Sequence, residues 1–191
     1  MKIDRIVYDQ IFEKVKPLLQ SGRPGDYAHI KSVYRALMEI CEQEKYHVNP
    51  HILIPAGILH DCGFGFLKKK YIRFFTGQEK VVAMKDTIND LTLAYVPVCL
   101  REFGFSDQEI EKIREIIRHS DEEILSVTNP SIELQILHDL NLYDRFLLHR
   151  LKLLKTLYPD SEKARAVLEK SLHHIILPEF KKKALRRMHK G

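Results

Sequence analysis

The 191-residue chain is 45% hydrophobic and 30% charged, a balance that points to a folded globular protein with a sizeable core rather than to a disordered one. Its net charge of +5 is confined to residues 179–191, where six Lys/Arg face one Glu, so the basic balance says little about the rest. Cys41, Cys62 and Cys99 form no CxxC pair, which excludes a disulfide framework and a zinc knuckle and fits a reducing, cytoplasmic setting.

The opening MKIDRIVYDQ carries acids too early for a signal peptide. The longest apolar stretch, Ile52 to Leu59, falls far short of the ~20 residues that span a bilayer. A first helix is expected near 3–20 and a second over 26–46. In the second, Ile30, Val33, Leu37 and Ile40 share one side, with Lys31, Arg35, Glu39 and Glu42 opposite. His29 joins the apolar side. The next helix, 50–62, carries IPAGILHD and ends in His60-Asp61, with Gly63 following. The segment 62–90 reads as a basic flap around Gly63, Gly65, Gly77 and Lys68-Lys69-Lys70, with a short helix over 65–75. A helix with a break is expected over 78–103, terminated by Gly104. Ser106-Asp107-Gln108-Glu109 reads as a capping box that opens 107–119. Asn129-Pro130 reads as the cap and first turn of 130–155, on which Ile132, Ile136, Asp139 and Tyr143 form one stripe. Helices over 161–173 and 175–188 complete the chain. With no alternating strand run, no βαβ repeat and no internal repeat, the expected fold is all-α. Residues 1–178 are expected to form one helical domain and 179–191 a basic helix end or tail.

His29, His60, Asp61 and Asp139 each fall where periodicity turns a side chain inward. Buried carboxylates are costly unless protonated, paired or bound to a metal. Two imidazoles and two carboxylates from separate segments make a mixed nitrogen and oxygen pocket suited to a divalent cation, which suggests a metal-dependent hydrolase. Adjacent side chains on a helix diverge by about 100°. His60 and Asp61 can therefore grip one ion only at an irregularity, and Gly63 is expected to permit one.

These residues resemble the H…HD…D signature of the HD-domain superfamily of metal-dependent phosphohydrolases. YAHIKSVYRALMEI looks like the first ligand helix of that family and ILIPAGILHDCGF like the second. FGFSDQEIEKIREIIRHS is similar to the stretch that often ends in Ile-x-x-His-Ser, and IELQILHDLNLYDRF to the helix of the final Asp. The resemblance spans about residues 26–146 and implies a helical bundle with His29, His60, Asp61 and Asp139 holding one divalent ion: Mn, Fe, Ni, Co, Zn or Mg. It implies hydrolysis of a phosphate ester, of a nucleotide or another small phosphorylated metabolite, by metal-activated water. Asp61 would double as the water-orienting base and His119 would bind phosphate or donate a proton. Lys68, Lys69, Lys70, Arg73 and Arg145 are the nearest candidate phosphate cations.

Two positions depart from the family pattern. Phe64 stands where many members carry a basic residue, and Asn141 replaces the second carboxylate of Asp-Ala-Asp. No His occurs between His60 and His119, which argues for one metal rather than two. Each residue also has a plainer reading. His29 would be a core histidine bonded to backbone, Asp61 a cap for the turn at Gly63, and Asp139 a partner of Arg145 or a nearby Lys. His138, His47, His51, His173 and His174 read as structural. A competing function is a catalytically degenerate HD-fold module that binds a nucleotide or RNA through the flap and the basic C-terminus. A partner-binding scaffold is the third reading, resting only on Leu168, Leu172, Ile175 and Ile176.

Overall fold

A computed structural model describes residues 5–67, 78–120, 124, 126–147, 150–152, 154 and 160–188, with the side chains of 78–83 and 161 outside the description. The described residues are all-α and contain no strand. None of their helices is long and apolar enough to cross a membrane. The chain divides into two compact units, Met1–His119 and Ser120–Gly191, where sequence alone suggests one domain through residue 178.

The first unit contains α1 (Arg5–Ser21), α2 (Asp26–Glu42), α3 (Pro50–Leu59), a 3-10 helix (Cys62–Phe66), α4 (Gln78–Leu100), a second 3-10 turn (Arg101–Phe103) and α5 (Asp107–His119). Pro50 opens α3 at its first turn, and the Asn49 side chain caps it by accepting the His51 amide at 3.0 Å. Apart from His51, every residue of α3 is buried, which explains why its sequence lacks a polar face. It lies against α1, α2 and α5 at the centre of the unit. The capping box forms as expected: Glu109 accepts from Ser106 N at 2.8 Å and from Ser106 Oγ at 2.6 Å. Gly104 ends the preceding turn at φ 79°, in the left-handed region.

One expected helix differs from the structure and another falls mostly outside the described residues. After Asp61 the chain makes the short 3-10 helix rather than running directly into a helix over 65–75, most of which lies outside the described residues. In the second unit, α6 spans Ile132–Asp144 instead of 130–155. Its cap is Ser131, whose Oγ accepts the Leu134 amide at 3.2 Å; Asn129, expected as the cap, instead takes a left-handed φ of 53°. α7 (Ser161–His174) and α8 (Pro178–Met188) pack against α6. Through Met188 the basic C-terminal stretch is thus a docked helix, with Phe180 and Ala184 buried while Lys182, Lys183, Arg186 and Arg187 are exposed.

Candidate metal centre

His29 lies at the start of α2 and is buried. α2 and α3 approach closely because Gly57 has no side chain: a Cβ there would lie 2.1 Å from Leu37 Cδ1 and 3.3 Å from Val33 Cγ1. Val33 is one turn beyond His29 and Gly57 is one turn before His60, so this contact sets the distance between the two imidazoles. Their Nε2 atoms are 3.3 Å apart, with the rings nearly perpendicular at 80°.

His60 is the C-cap of α3, and its Nδ1 lies 3.0 Å from Gly57 O. A carbonyl can only accept, so Nδ1 carries a proton and Nε2 is the nitrogen that faces His29. This backbone contact is the outer-shell device that orients metal-binding histidines. The helix then breaks. Asp61 adopts φ −108° and ψ 6° before the 3-10 turn, which allows two successive side chains to face one point. Asp61 Oδ2 lies 3.8 Å from His29 Nε2 and 3.9 Å from His60 Nε2. The carboxylate makes no capping bond to the turn, so the plainer reading of Asp61 as a cap does not describe it.

Gly63 serves this arrangement by allowing close approach, not by a left-handed φ. A Cβ there would lie 2.2 Å from Ile88 O and 2.4 Å from Thr92 Oγ1, and the Gly63 amide donates to that hydroxyl at 3.0 Å. Gly65 is pressed in the same way onto α1, where a Cβ would meet Leu18 O at 2.5 Å.

His29, His60 and Asp61 form a group whose ligand atoms all lie within 4.8 Å of one another. In the triangle of sides 3.3, 3.8 and 3.9 Å, the point equidistant from all three atoms lies about 2.1 Å from each. That matches nitrogen and oxygen bond lengths to first-row divalent ions, which run about 2.0–2.2 Å for zinc. Two neutral imidazoles and one carboxylate suit Zn, Mn, Fe, Co or Ni, and three protein ligands leave positions for water and substrate.

Two further residues, not evident as site residues from sequence, complete the surroundings. Arg23 Nη2 donates to Asp61 Oδ2 at 2.9 Å, and Arg23 Nε donates to Asp26 Oδ1 at 3.0 Å. The Arg23 amide also donates to Asp26 Oδ2 at 2.7 Å. The guanidinium carbon lies 3.4 Å from the centroid of the Phe64 ring, a stacked cation–π contact. Asp26 is only 1% exposed, and burial raises its pKa from 3.8 to about 6, with Arg23 opposing and the Asp61 charge adding to the rise. The sequence signal was present as Arg-Pro-Gly-Asp, an acid and base three apart, just before the first ligand helix.

The remaining candidates have other surroundings. Asp139 is fully buried on α6 in the second unit, and its two oxygens accept the amides of Ile176 at 2.9 Å and Leu177 at 2.6 Å. Burial raises its pKa while those two amides oppose the rise. His138, also buried, has Nδ1 3.1 Å from Ser120 O and Nε2 3.3 Å from His174 O, in keeping with the structural reading. Asn141 Oδ1 is buried without a hydrogen-bond partner among the described residues, as is His119 Nδ1. Arg145 Nη1 donates to Ser171 Oγ at 2.9 Å. Lys68, Lys69, Lys70 and Arg73 lie outside the described residues. Comparison with protein-family models, curated proteins and solved structures finds no match for this chain.

Proposed function

We propose that the chain is a metal-dependent phosphohydrolase of the HD type, acting on a phosphate ester of a nucleotide or another small phosphorylated metabolite. The observation that carries this reading is the triangle of His29 Nε2, His60 Nε2 and Asp61 Oδ2, with His60 Nδ1 committed to Gly57 O. His29, His60 and Asp61 would hold one divalent transition ion. When bound, such an ion supplies Lewis acidity, polarising a phosphoryl oxygen and bringing the pKa of a water near 7. Asp61, about one-fifth exposed and shared with Arg23, would orient a water for in-line attack. The buried walls around His29 and His60 exclude bulk solvent and strengthen each polar interaction within. Asp139 remains a candidate further ligand on the resemblance alone, and its amide bonds give it a clear role within its own unit.

Elemental analysis of purified protein tests the reading, followed by a phosphatase screen with manganese, nickel and cobalt added back. About one equivalent of metal, lost in His60→Ala, together with turnover of a phosphomonoester, is the expected result. Absence of metal under every loading condition would refute it. One observation favours a second reading, a degenerate module that binds a nucleotide or RNA: the Arg23–Asp61 pair already gives the carboxylate a cationic partner. In that case chelation would leave ligand binding intact.

A further inference from the structure

The Arg23 guanidinium touches the proposed metal triangle at Asp61 Oδ2, the vertex that is both a ligand atom and its hydrogen-bond acceptor. Adding 2.9 Å to the ~2.1 Å between that oxygen and the equidistant point places Arg23 Nη2 within about 5 Å of the cation position. Two positive centres at that spacing, with a shared carboxylate on one side, form a clamp for a tetrahedral oxyanion: one oxygen on the cation, another on the guanidinium. Arginine is the residue suited to this, because its planar guanidinium carries five N–H donors, more than the bonds from Nε and Nη2 to Asp26 and Asp61 use, and holds its charge at every working pH.

The guanidinium is fixed before any ligand arrives. Asp26, nearly solvent-free, takes Arg23 Nε and the Arg23 amide, while the Phe64 ring supports the flat face. The turn is built tightly around that carboxylate: a Cβ on Gly22 would lie 2.8 Å from Asp26 Oδ2 and 3.3 Å from Phe64 Cβ. Such fixing reduces the ordering cost of binding, and the Arg23 side chain is still 27% exposed, so a small ligand can reach it. A divalent ion and one guanidinium set against Asp61 and Asp26 leave the cluster with net positive charge, complementary to a dianion.

We propose that Arg23, oriented by Asp26 and Phe64, binds the terminal phosphate of the substrate beside the metal centre. The assignment rests on the metal reading above and deepens it. Phe64 then has a defined role, since its ring supports the guanidinium whose charge its own position lacks.

The test uses the full chain loaded with manganese and titrated calorimetrically with inorganic phosphate, in wild type, Arg23→Gln and Arg23→Lys. Arg23→Gln should keep one equivalent of metal and bind phosphate at least about tenfold more weakly. Arg23→Lys should fall between them, since it restores charge without the fork. Unchanged phosphate affinity in metal-replete Arg23→Gln would overturn the proposal, as would wild type that holds metal and binds no phosphate. Loss of the metal itself in Arg23→Gln would also overturn it, because Arg23 would then act by positioning Asp61. Wild type that takes up no metal refutes the underlying centre as well. If Arg23→Gln does not fold because Asp26 is left unpaired, the double variant Arg23→Gln/Asp26→Asn removes that charge and undergoes the same titration.

Discussion

Gly63→Ala tests whether the turn after Asp61 depends on close approach to α4. The added Cβ would sit 2.2 Å from Ile88 O, a backbone atom that no rotamer change can move, and 2.4 Å from Thr92 Oγ1. Relief requires the 3-10 turn and α4 to separate. Overpacking of this kind costs about 1–3 kcal/mol. Separation also weakens the bond from the Gly63 amide to Thr92 Oγ1, whose net worth is about 0.5–1.5 kcal/mol. Together these give a loss of about 2–4 kcal/mol, or about 5–15 °C in Tm for a chain of this size. Because Asp61 lies two residues before Gly63, metal affinity should fall in the same variant. Gly104→Ala is the control: its φ of 79° strains an L-residue, yet nothing lies within 4 Å of a Cβ there. It should cost only about 1–2 kcal/mol and leave metal binding unchanged. Differential scanning fluorimetry and metal titration read both. A Gly63→Ala protein with wild-type Tm and metal affinity would refute the close-approach argument.

Saturating metal at a hundredfold excess over Kd should raise wild-type stability by about 2.7 kcal/mol, and Asp61→Asn should abolish most of that gain in a thermal-shift titration. Asp139→Ala strips acceptors from two backbone amides, one of them buried, and should cost about 2–4 kcal/mol by urea denaturation. Retained metal stoichiometry in the folded variant would assign Asp139 to the backbone alone, and loss would add it to the ligands. Asp26 gives a pH signature. Its folded pKa is raised, so the native state binds the extra proton and stability falls as pH rises through about 4 to 6. At about 1.4 kcal/mol per pH unit, the rise from 3.8 to about 6 bounds the effect near 3 kcal/mol. The stability difference between wild type and Asp26→Asn should therefore shift against wild type by up to that amount between pH 4 and 6.5. A difference that stays flat with pH would refute the burial argument.

The helical architecture was legible because amphipathic period and capping chemistry are local. Ile110, Ile113, Ile116 and Ile117 are buried as their spacing requires, and the Ser106–Glu109 box closes over three residues. Burial of His29 was legible for the same reason, since its neighbours on the apolar side of α2 fix its direction. The amide bonds of Asp139 were not. Their donors lie 37 and 38 residues away, in the irregular backbone between α7 and α8, and no local pattern announces such a contact. The end of the long helix expected over 130–155 was missed because apolar residues continue past Asp144, where the helix ends with Arg145 as its C-cap.

Phe64 stands where the family resemblance expects a basic residue, and the structure sets a cation against it from elsewhere in the chain. Taken from the sequence, an aromatic three residues after Asp61 removes a positive charge from the neighbourhood of the site. In the structure the charge is present, because the Arg23 guanidinium lies against that ring and reaches Asp61 from the opposite direction along the chain. A buried carboxylate such as Asp26 needs a cation close by, and Asp61 is stabilised by the same one. Phe64 supplies what neither acid can: an apolar face that excludes water from one side of the guanidinium while its N–H groups donate in the plane to Asp26 and Asp61. Phe64→Ala should therefore loosen Arg23 without altering any charge. Phosphate affinity of the manganese-loaded protein should drop by several-fold while metal content stays constant. An unchanged affinity would show that Asp26 and Asp61 are enough to hold the guanidinium in place without the ring.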